Sequence, residues 1–390
     1  MRVGIVGCTG AVGEELVKVL GERQDRLGGV TQLKLLASAK SAGKVMDAGV
    51  FGPLTVEEFS IDKVKKLDVV FLAVSGSFSL KYAHEIAKSG PVVIDNSSAF
   101  RNDPEIPLVI PEINGHTAKN AKLIANPNCT TAIAAMALWP LHQKFGIRSL
   151  IMSTYQAASG AGAEGMAELE AQTRAHVKGS APEVSVFQYP LAFNVIPHVD
   201  SFQPNGYTRE EMKVVWETRK IFGVPDMDVS CTAVRIPTLR AHAEALTIQT
   251  WAPCSVEKAK ALIDEAVGVQ LVDDPSSNKY PMPINATAKF DVEAGRVRQS
   301  IVFGDFGLDL FVCGDQLLRG AALNAVLIAE FLHEDKFEKP SGYKPTVLQR
   351  FMGASLSGPA LWFTVGAVAA TAAAATSFLT ADSKPTSSSA

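Results

Sequence analysis

Short apolar runs alternate with helix-like stretches over the first third of the chain. Four runs, at residues 2–6, 32–37, 68–73 and 92–95, have the length and composition of buried strands. Helical spacing extends from a glycine-rich turn to about Leu20, and again from about Phe78 to Ser89. Strands and helices that alternate in this way predict a Rossmann-like, doubly wound α/β domain with a parallel sheet.

The pattern changes after residue 128. The predicted strands become longer, and they lie at residues 149–156, 243–250 and 301–304. Loops and helices separate them, which is typical of an α+β domain with a mixed sheet. An apolar helix at 320–332 comes last, and we expect it to pack back on the first domain, which would make that domain discontinuous.

The composition excludes several classes of protein. The chain has 390 residues, 47% of them hydrophobic, and its 37 Lys and Arg against 40 Asp and Glu give a net charge of −3. No basic tract predicts nucleic-acid binding. The five cysteines are scattered without CxxC spacing, which favours a reducing, cytoplasmic compartment over disulfides or a structural metal site. A strand begins at the amino terminus, so we expect no signal peptide.

The carboxyl-terminal segment differs from the rest of the chain. Residues 351–381 contain no charged side chain, and residues 359–379 are long and apolar enough to span a bilayer. Basic residues precede them, as they do on the cytosolic side of membrane spans. Two interpretations stay open: a transmembrane anchor at 359–379 joined by a linker at 336–358, or an alanine-rich tail.

A glycine-rich turn between the first strand and the first helix predicts a dinucleotide site. Gly7, Gly10 and Gly13 allow the backbone to approach a pyrophosphate at the helix amino terminus. Between these glycines the turn contains Thr9, Ala11 and Val12. The spacing is GxxGxxG rather than GxGxxG, so a plain tight turn is the alternative.

The end of the second strand indicates which cofactor is bound. NAD sites usually place Asp or Glu there, against the ribose 2′-hydroxyl. This segment carries Ser38, Lys40 and Ser41 and no carboxylate, a set that suits a 2′-phosphate. We therefore expect NADP; the alternative is that Lys40 lies in a solvated loop.

One cysteine has the setting of a nucleophile. Cys129 follows the turn Asn126-Pro127-Asn128 and precedes an apolar helical stretch. At a helix amino terminus the unpaired N–H groups and the helix dipole favour thiolate over thiol and can bind an oxyanion. We expect a lowered thiol pKa and covalent catalysis; a buried, inert cysteine is the alternative.

Three polar residues are candidates to act with this cysteine. Gln156 ends a strand, before a run of small residues, and its amide can orient an acyl group. His242 is expected on one face of an extended segment with Arg240 and Glu244, where an imidazole suits acid–base work. Arg235 has the planar fork that suits a substrate carboxylate.

Charged residues supply candidate substrate contacts. Arg101 follows the carboxyl end of a parallel strand, where open α/β sheets bind ligands, and it suits a phosphate. Thr208 and Glu211 match a capping box. Glu210 and Lys213 are left on one helix face, either as an ion pair or as opposite charges presented to a zwitterionic substrate.

Ten ordered segments over about residues 1–332 resemble the aspartate-semialdehyde dehydrogenase family. They are GCTGAVG, LASAKSAGK, VIDNSSAFR, NPNCTT, YQAASGAG, FNVIPHVD, EEMK, VRIPTLRAHAE, NKYPMPINAT and LLRGAALNAVLIAE. By this resemblance Cys129 is the nucleophile, Gln156 orients the acyl intermediate and His242 is the acid–base residue. The remaining roles it implies are phosphate binding by Arg101 and Lys213, amino-acid binding by Glu210 and Arg235, and nicotinamide contacts by Ser159, Gly160 and Asn324.

The resemblance also implies an activity and an assembly. Family members are expected to be homodimers that use NADPH to convert 4-phospho-L-aspartate to L-aspartate 4-semialdehyde through a cysteine thioester, in lysine, threonine and methionine biosynthesis. The NADP-binding domain would then comprise residues 1–128 and about 320–335, and the catalytic and dimerisation domain residues 129–319.

The sequence departs from the family at two positions, and it leaves two other functions open. Cys8 and Lys40 stand where the family usually has Ala and Arg. One alternative function is another acyl-phosphate reductase, such as N-acetyl-glutamyl-phosphate reductase. The other is a catalytically silent scaffold tethered to a membrane.

Overall fold

The computed structural model describes residues 1–334, which contain two six-stranded sheets. The strands are β1 (Arg2–Val6), β2 (Gln32–Ala37), β3 (Val45–Asp47), β4 (Pro53–Thr55), β5 (Glu57–Glu58), β6 (Val69–Leu72), β7 (Val92–Asp95), β8 (Leu123–Ala125), β9 (Ile147–Gln156), β10 (Asp228–Arg235), β11 (His242–Thr250), β12 (Val269–Leu271), β13 (Val292–Ser300) and β14 (Gly304–Gly314). The helices are α1 (Ala11–Arg23), α2 (Ile61–Val64), α3 (Gly76–Ser89), α4 (Pro111–Asn114), α5 (Cys129–Phe145), α6 (Gly162–Val177), α7 (Arg209–Phe222), α8 (Val256–Asp264), α9 (Pro283–Ala286) and α10 (Leu323–Glu334). A π-helical turn, Leu318–Ala322, leads into α10.

The first sheet is parallel throughout, in the order β5-β2-β1-β6-β7-β8. Its two faces are buried against different helices. Ile5 of β1 packs with Leu16 of α1 and Leu323 of α10, whereas Val6 packs in a second cluster with Ile86 of α3. Burial on both faces explains why these strands are apolar runs without alternation. The predicted doubly wound sheet is confirmed, and the helix predicted at its end does pack back on it as α10.

The second sheet is mixed, in the order β10-β9-β11-β14-β13-β12. Most neighbours are antiparallel, but β10 lies parallel to β9 and β12 parallel to β13. One face packs against α5 and carries Leu150 and Met152 of β9. The other face exposes Ile151 and Tyr155 of the same strand. This alternation is the pattern of a sheet with one buried face, so the predicted mixed α+β architecture is confirmed.

Two local predictions for this sheet are wrong. Residues 301–303 form the turn between β13 and β14 rather than a strand, and Ile301 is 99% exposed. The apolar run lies where the chain must reverse, because Ser300 pairs directly with Gly304. Arg240 does not share a strand face with His242, since Ala241 has a φ of +68° and β11 begins only at His242.

Crossing connections place the site at one edge of the first sheet. The chain leaves β1 toward β2, on one side, and later returns to β6, on the other side of β1. Ligands of open α/β sheets bind at such a switch point, beside the carboxyl ends of the strands. α5 begins shortly after β8 and packs on β9, β11 and β14. The amino terminus of α5 therefore lies between the two sheets.

Among residues 1–334, no helix is long and apolar enough to cross a membrane. The anchor predicted at 359–379 and the linker predicted at 336–358 lie outside the described residues.

Candidate active site

Cys129 is the first residue of α5. The side-chain Oδ1 of Asn128, the residue before it, accepts the backbone N–H groups of Thr130 and Thr131 at 3.1 and 3.2 Å. This cap satisfies two of the N–H groups that a helix leaves unpaired at its amino terminus. Cys129 therefore lies where the sequence places it, at a capped helix amino terminus.

The thiol of Cys129 does not have the lowered pKa that its position predicts. Burial and the carboxylate of Glu210 raise its pKa to about 12, against weaker opposing effects of Thr130 and Arg101. The prediction was wrong because a helix terminus contributes only a fraction of a charge within one turn, whereas Glu210 brings a full negative charge from another helix. In the ligand-free protein the group is a neutral thiol.

Gln156 and Glu210 connect this helix to the second sheet and to α7. Gln156 ends β9, and its Nε2 donates to the hydroxyl of Thr130 and, at 3.1 Å, to Oε1 of Glu210. The same Oε1 accepts the side-chain N–H of Asn128 at 2.9 Å. Oε1 of Gln156 is buried and has no hydrogen-bond partner among the described residues. It is therefore available to a ligand.

Glu210 and Lys213 form an ion pair on α7. Nζ of Lys213 lies 2.9 Å from Oε2 of Glu210 and 2.8 Å from Oδ2 of Asp200. Burial opposes the charge of Glu210, but Lys213 and the hydrogen bonds from Asn128 and Gln156 lower the pKa of that carboxyl to about 2. The predicted capping box of Thr208 and Glu211 is confirmed. It fixes the start of α7, and Glu210 and Lys213 then face the site. Glu210 stays a carboxylate at neutral pH.

His242 is buried at the start of β11, and its two ring nitrogens differ. The backbone N–H of Ala157 donates to Nδ1 at 3.0 Å, whereas Nε2 has no partner among the described residues. Burial and the positive charge of Arg235 lower the pKa of the imidazole to about 3, against the opposing charge of Glu210. The ring is neutral in the folded protein.

Arg235, Gln156 and His242 lie side by side on the inner face of the second sheet. Arg235 pairs with Gln156 between β10 and β9, and the pairing of Tyr155 with Ala243 brings Gln156 next to His242. Nη1 of Arg235 donates to the carbonyl of Ala157 at 2.7 Å.

Gly160 keeps the space between Arg235 and His242 open. A Cβ at position 160 would come within 2.6 Å of Nη1 of Arg235 and 3.4 Å of the His242 ring. Because real Cβ atoms essentially never come within 3.0 Å of another atom, a side chain at position 160 would displace the guanidinium of Arg235.

Arg101 is buried beside α5 rather than solvated. Its Nε and Nη2 donate to the carbonyls of Asn126 and Asn96, both at 2.8 Å, and its Nη1 lies 3.2 Å from Oε1 of Glu217. The other oxygen of Glu217 accepts the backbone N–H of Asn128 at 2.6 Å. Glu217 thus joins the guanidinium to the residue that caps the Cys129 helix.

The glycine turn after β1 forms a cradle at the switch point. Gly7 has a φ of +87°, and a Cβ there would lie 2.1 Å from the carbonyl oxygen of Ala73, after β6. A Cβ at Gly13 would lie 2.3 Å from the carbonyl oxygen of Gly7. Gly10 caps α1 without a side-chain hydrogen bond, and it is exposed together with Thr9. Ala11 and Val12 follow as the first residues of α1. The cradle fits a pyrophosphate bound at a helix amino terminus.

The predicted 2′-phosphate residues lie beside this cradle. The backbone N–H of Gly7 donates to the carbonyl oxygen of Leu36, near the end of β2, at 2.8 Å. Ser38, Lys40 and Ser41 follow β2 in a turn closed by the bond from Ser41 N–H to the carbonyl of Ser38, at 2.9 Å. Ser38 and Lys40 are exposed. Residues 37–44 of the chain contain no Asp or Glu, although Glu58 of the neighbouring strand β5 pairs with Ala37 at the end of β2.

Two residues predicted near the nicotinamide make hydrogen bonds within the protein. Ser159 accepts a hydrogen bond from Nε2 of Gln316, whose Oε1 accepts the N–H of Ala241 at 2.9 Å. Asn324 is buried and donates to Asn126 at 2.7 Å and to the carbonyl of Val109 at 2.9 Å. The contacts of Ser159, Gly160 and Asn324 with a cofactor stay predictions.

Four residues that hold the site together were not predicted from the sequence: Asn128, Asp200, Glu217 and Gln316. Asn128 carried a signal, because Asn is a preferred residue before a helix. The partners of Asp200, Glu217 and Gln316 lie 13, 89 and 157 positions away in the sequence, and no local pattern marks these three residues.

Comparisons with known proteins agree with this geometry. The family model described as "Semialdehyde dehydrogenase, NAD binding domain" matches residues 2–121, and the one described as "Semialdehyde dehydrogenase, dimerisation domain" matches residues 138–319. The aspartate-semialdehyde dehydrogenase of a Synechocystis strain is 48% identical over 336 residues, which cover 86% of this chain and 98% of the relative. The chain belongs to the aspartate-semialdehyde dehydrogenase family.

Other members of the family support the assignment. The aspartate-semialdehyde dehydrogenase of Bacillus subtilis is 43% identical, over 85% of this chain and 97% of that protein. The crystal structure of aspartate semialdehyde dehydrogenase II from Vibrio cholerae, complexed with ASA, is 40% identical and superposes with a TM-score of 0.80, over 86% of this chain and 99% of that one. The resemblance, the dehydrogenase activity and the nicotinamide cofactor predicted from the sequence are confirmed.

Proposed function

We propose that this chain catalyses the NADPH-dependent reductive dephosphorylation of 4-phospho-L-aspartate to L-aspartate 4-semialdehyde, with Cys129 as the nucleophile. The observation that carries the proposal is the convergence of Cys129, Gln156 and His242 with two arginines and the Glu210–Lys213 pair. A cysteine that attacks a carbonyl needs an oriented acyl group and a proton-exchanging partner. Gln156 and His242 lie around the amino terminus of α5, where they can fill these two roles.

The covalent step follows from this arrangement. The sulfur of Cys129 attacks the acyl carbon, the carbon–oxygen bond to phosphate breaks, and a thioester remains on the protein. Gln156 orients the acyl group, and His242 forms a hydrogen bond with the acyl group or transfers a proton to or from it. NADPH, when bound, supplies the hydride that reduces the thioester to the aldehyde. The neutral thiol of the ligand-free protein must lose its proton during the attack.

Charge complementarity supports the substrate assignment. Arg101 and Lys213 are the cations assigned to the phosphate, and Arg235 is the cation assigned to the α-carboxylate. Glu210, a carboxylate at neutral pH, suits the α-ammonium group. An N-acetylated substrate lacks that positive charge, which argues against N-acetyl-glutamyl phosphate.

The cofactor site is proposed at the switch point of the first sheet. Gly7, Gly10 and Gly13 would hold the pyrophosphate, and Ser38 and Lys40 the 2′-phosphate. We propose residues 1–128 with about 320–335 as the cofactor-binding domain and 129–319 as the catalytic domain.

The test is an absorbance assay of NADPH with the purified full-length protein. Aspartate semialdehyde, inorganic phosphate and NADP should together produce NADPH, and omission of phosphate should stop the reaction. A protein that reacts only with the N-acetylated aldehyde would belong to the alternative reductase. A protein that binds NADP but turns over neither aldehyde would be the silent scaffold.

We further propose a homodimer that forms through the exposed face of the second sheet. Ile151 and Tyr155 are 51% and 37% exposed there, and the ring of Phe311 lies 6.0 Å from that of Tyr155. The family model that covers this region describes a dimerisation domain. Ile151→Glu should give monomers in light scattering, whereas Leu80→Glu, on the exposed side of α3, should not. Unchanged dimers in both variants would exclude this face.

The segment at 359–379 stays a predicted membrane anchor. In cells, the full chain should then resist carbonate extraction, and a chain that ends at residue 345 should not. Full-length protein that is released by carbonate would favour the alanine-rich tail.

A further inference from the structure

The side chain of Arg240 connects the two sheets through two carboxylates. Its Nη1 donates to Oε1 of Glu15 at 2.9 Å, and its Nε donates to Oδ2 of Asp315 at 2.6 Å. Glu15 lies on α1, which packs on the first sheet, whereas Asp315 directly follows β14 of the second sheet. Arg240 itself lies two residues before His242, the first residue of β11. One guanidinium therefore joins α1 to the segment that leads into β11.

The guanidinium is fixed on the side of the second sheet. Oδ2 of Asp315 also accepts the backbone N–H of Ala288 at 2.7 Å, so this carboxylate is held by the main chain as well as by Arg240. The next residue along the chain, Ala241, has a φ of +68°, and its N–H donates to Oε1 of Gln316 at 2.9 Å. The backbone from which Arg240 extends therefore has a defined conformation.

Glu15 places the other end of this connection beside the proposed cofactor site. It lies two residues after Gly13, which corresponds to about 3 Å along the helix axis. The N–H groups that would hold the pyrophosphate belong to the first turn of the same helix. Because side chains on one helix keep their relative positions, a shift of Glu15 is also a shift of the cofactor site.

The ion pair is charged and largely shielded from water. The side chains of Arg240, Glu15 and Asp315 are 22%, 10% and 0% exposed. Burial opposes the charge of Glu15, but Arg240 and Lys18 lower the pKa of its carboxyl group. A planar guanidinium that binds two carboxylates has a more restricted geometry than an exposed pair of flexible side chains.

Other contacts attach α1 to the fold. At the far end of the helix, Nη2 of Arg23 lies 2.7 Å from Oε2 of Glu330 on α10, and the apolar face of α1 packs on the first sheet. The pair between Glu15 and Arg240 is therefore not required to keep α1 in place. What it adds is a defined position of the amino-terminal half of α1 relative to the second sheet.

We propose that Glu15 and Arg240 are positioning residues for hydride transfer. Their ion pair sets the amino terminus of α1, and the cofactor bound there, at a fixed distance from the second sheet, whose residues surround the thioester on Cys129. This inference rests on the proposed function, because it is the hydride step that needs the cofactor and the thioester at a set separation. Both residues act through the position of the helix.

The two chemical steps of the proposed reaction differ in their need for this contact. In acyl transfer the sulfur–carbon bond forms and the carbon–oxygen bond to phosphate breaks, and nothing bound at α1 takes part. In the second step the acyl carbon takes a hydride from NADPH, which is oxidised to NADP, and with one proton the thioester becomes the aldehyde and the free thiol. Because a misplacement of about 1 Å can lower a rate about 100-fold, a small shift of α1 should slow the second step alone.

Single-turnover measurements on the full-length protein separate the two steps. 4-Phospho-L-aspartate without cofactor should give a burst of inorganic phosphate, and NADPH added afterwards should report the hydride step by its loss of absorbance. For Glu15→Met we expect an unchanged burst and a hydride step that is about 10- to 100-fold slower. Glu14→Met is the matched control, because it removes the neighbouring, exposed carboxylate of α1, and it should change neither step.

Three results for Glu15→Met would overturn the inference. The first is a normal hydride step. The second is an equal loss in both steps, since a general defect of the fold would act on both. The third is a Kd for NADP, measured by fluorescence without substrate, that rises as much as the hydride rate falls, because the pair would then form the binding site instead of positioning it.

Two further variants test whether Glu15 and Arg240 act as a pair. Glu15→Gln keeps an acceptor oxygen for Nη1 of Arg240, so it should recover part of the hydride rate that Glu15→Met loses. A double variant, Glu15→Met with Arg240→Met, should be no slower in the hydride step than Arg240→Met alone. Losses that multiply would show that the two residues act independently. If Arg240→Met does not fold because Asp315 is left buried without its cation, the two Glu15 variants still decide the inference.

The two hypotheses fail in distinguishable ways. Unmodified protein that gives no phosphate burst would overturn the proposed function, and this inference with it. Unmodified protein that gives both steps, together with a Glu15→Met variant that does the same at equal rates, would overturn this inference alone.

Discussion

Gly320 lies directly against Cys129: a Cβ at position 320 would come within 2.5 Å of Cys129 Cβ and 2.9 Å of its Cα. Gly320 belongs to the π-helical turn Leu318–Ala322, a local geometry that is frequent at functional sites. Two segments that are about 190 residues apart in the chain therefore meet at the nucleophile, and glycine is the residue that permits the contact.

Gly320→Ala should impair catalysis more than cofactor binding. The added methyl group must displace Cys129 or the π-helical turn, and a shift of about 1 Å at a reacting atom can lower the rate about 100-fold. We expect a fall of that order in kcat, with the Kd for NADP changed less than threefold. A variant with normal kcat would show that the two backbones can separate without disturbing the sulfur.

The thiol of Cys129 should react slowly with alkylating agents in the ligand-free protein. Because its pKa is about 12, the thiolate fraction and the rate of iodoacetamide labelling should rise through the neutral range without a plateau up to about pH 10. Glu210→Gln should speed labelling at constant pH, since it removes a carboxylate that raises this pKa. Cys129→Ser is the control for labelling elsewhere, and the other four cysteines are buried. A plateau below about pH 8 would contradict the raised pKa.

Cofactor preference should reside in the turn after β2. Ser38→Asp places a carboxylate where we assign the 2′-phosphate, and juxtaposed like charges cost several kcal/mol. The ratio of kcat/KM for NADP to that for NAD should therefore fall by about 100-fold. Lys40→Ala should lower the same ratio by about tenfold, whereas Lys88→Ala, at an exposed position of α3, should not change it. Equal use of NAD by the unmodified protein would refute the assignment.

Local patterns were sufficient for much of the fold. The strand predicted at residues 32–37 coincides with β2, and the helix after the Asn-Pro-Asn turn coincides with the start of α5. Apolar runs with clear ends define such elements, because burial of both faces allows few other arrangements. The same rule predicted a strand at 301–304, and that prediction was wrong because the pairing between β13 and β14 makes the chain turn there.

The electrostatics of the site could not be predicted from local sequence. The setting of Cys129 indicates a lowered pKa, but Glu210, which is 81 positions further along the chain, raises it. The position of Arg101 after a parallel strand predicts a ligand contact, but it does not predict that Glu217 and two backbone carbonyls bind its guanidinium in the interior. Such effects depend on which charges the tertiary fold brings together, and a short motif does not contain that information.

The buried, neutral His242 should make stability depend on pH. Its pKa is about 3 in the folded protein and about 6.5 in an unfolded chain. The unfolded state thus binds more protons between these values, and the free energy of unfolding should fall as the pH decreases from about 6.5. In urea titrations His242→Gln should flatten this dependence, and His176→Gln, at an exposed position of α6, should not. Identical slopes for the two variants would mean that folding does not lower the pKa of His242.

Glu217→Gln should make the protein depend on phosphate for its stability. The variant leaves the buried guanidinium of Arg101 without its carboxylate, and breaking a buried ion pair in this way costs about 3–5 kcal/mol. If Arg101 binds the substrate phosphate, inorganic phosphate can supply the missing negative charge, so it should raise the Tm of the variant more than that of the unmodified protein. Glu112→Gln is the matched control, because it removes the carboxylate of another buried arginine, Arg319, on the π-helical turn. That variant should be destabilised as well, but phosphate should not restore it. Equal phosphate shifts in all three proteins would remove Arg101 from the phosphate site, and a stable Glu217→Gln protein would show that the ion pair contributes little to the fold.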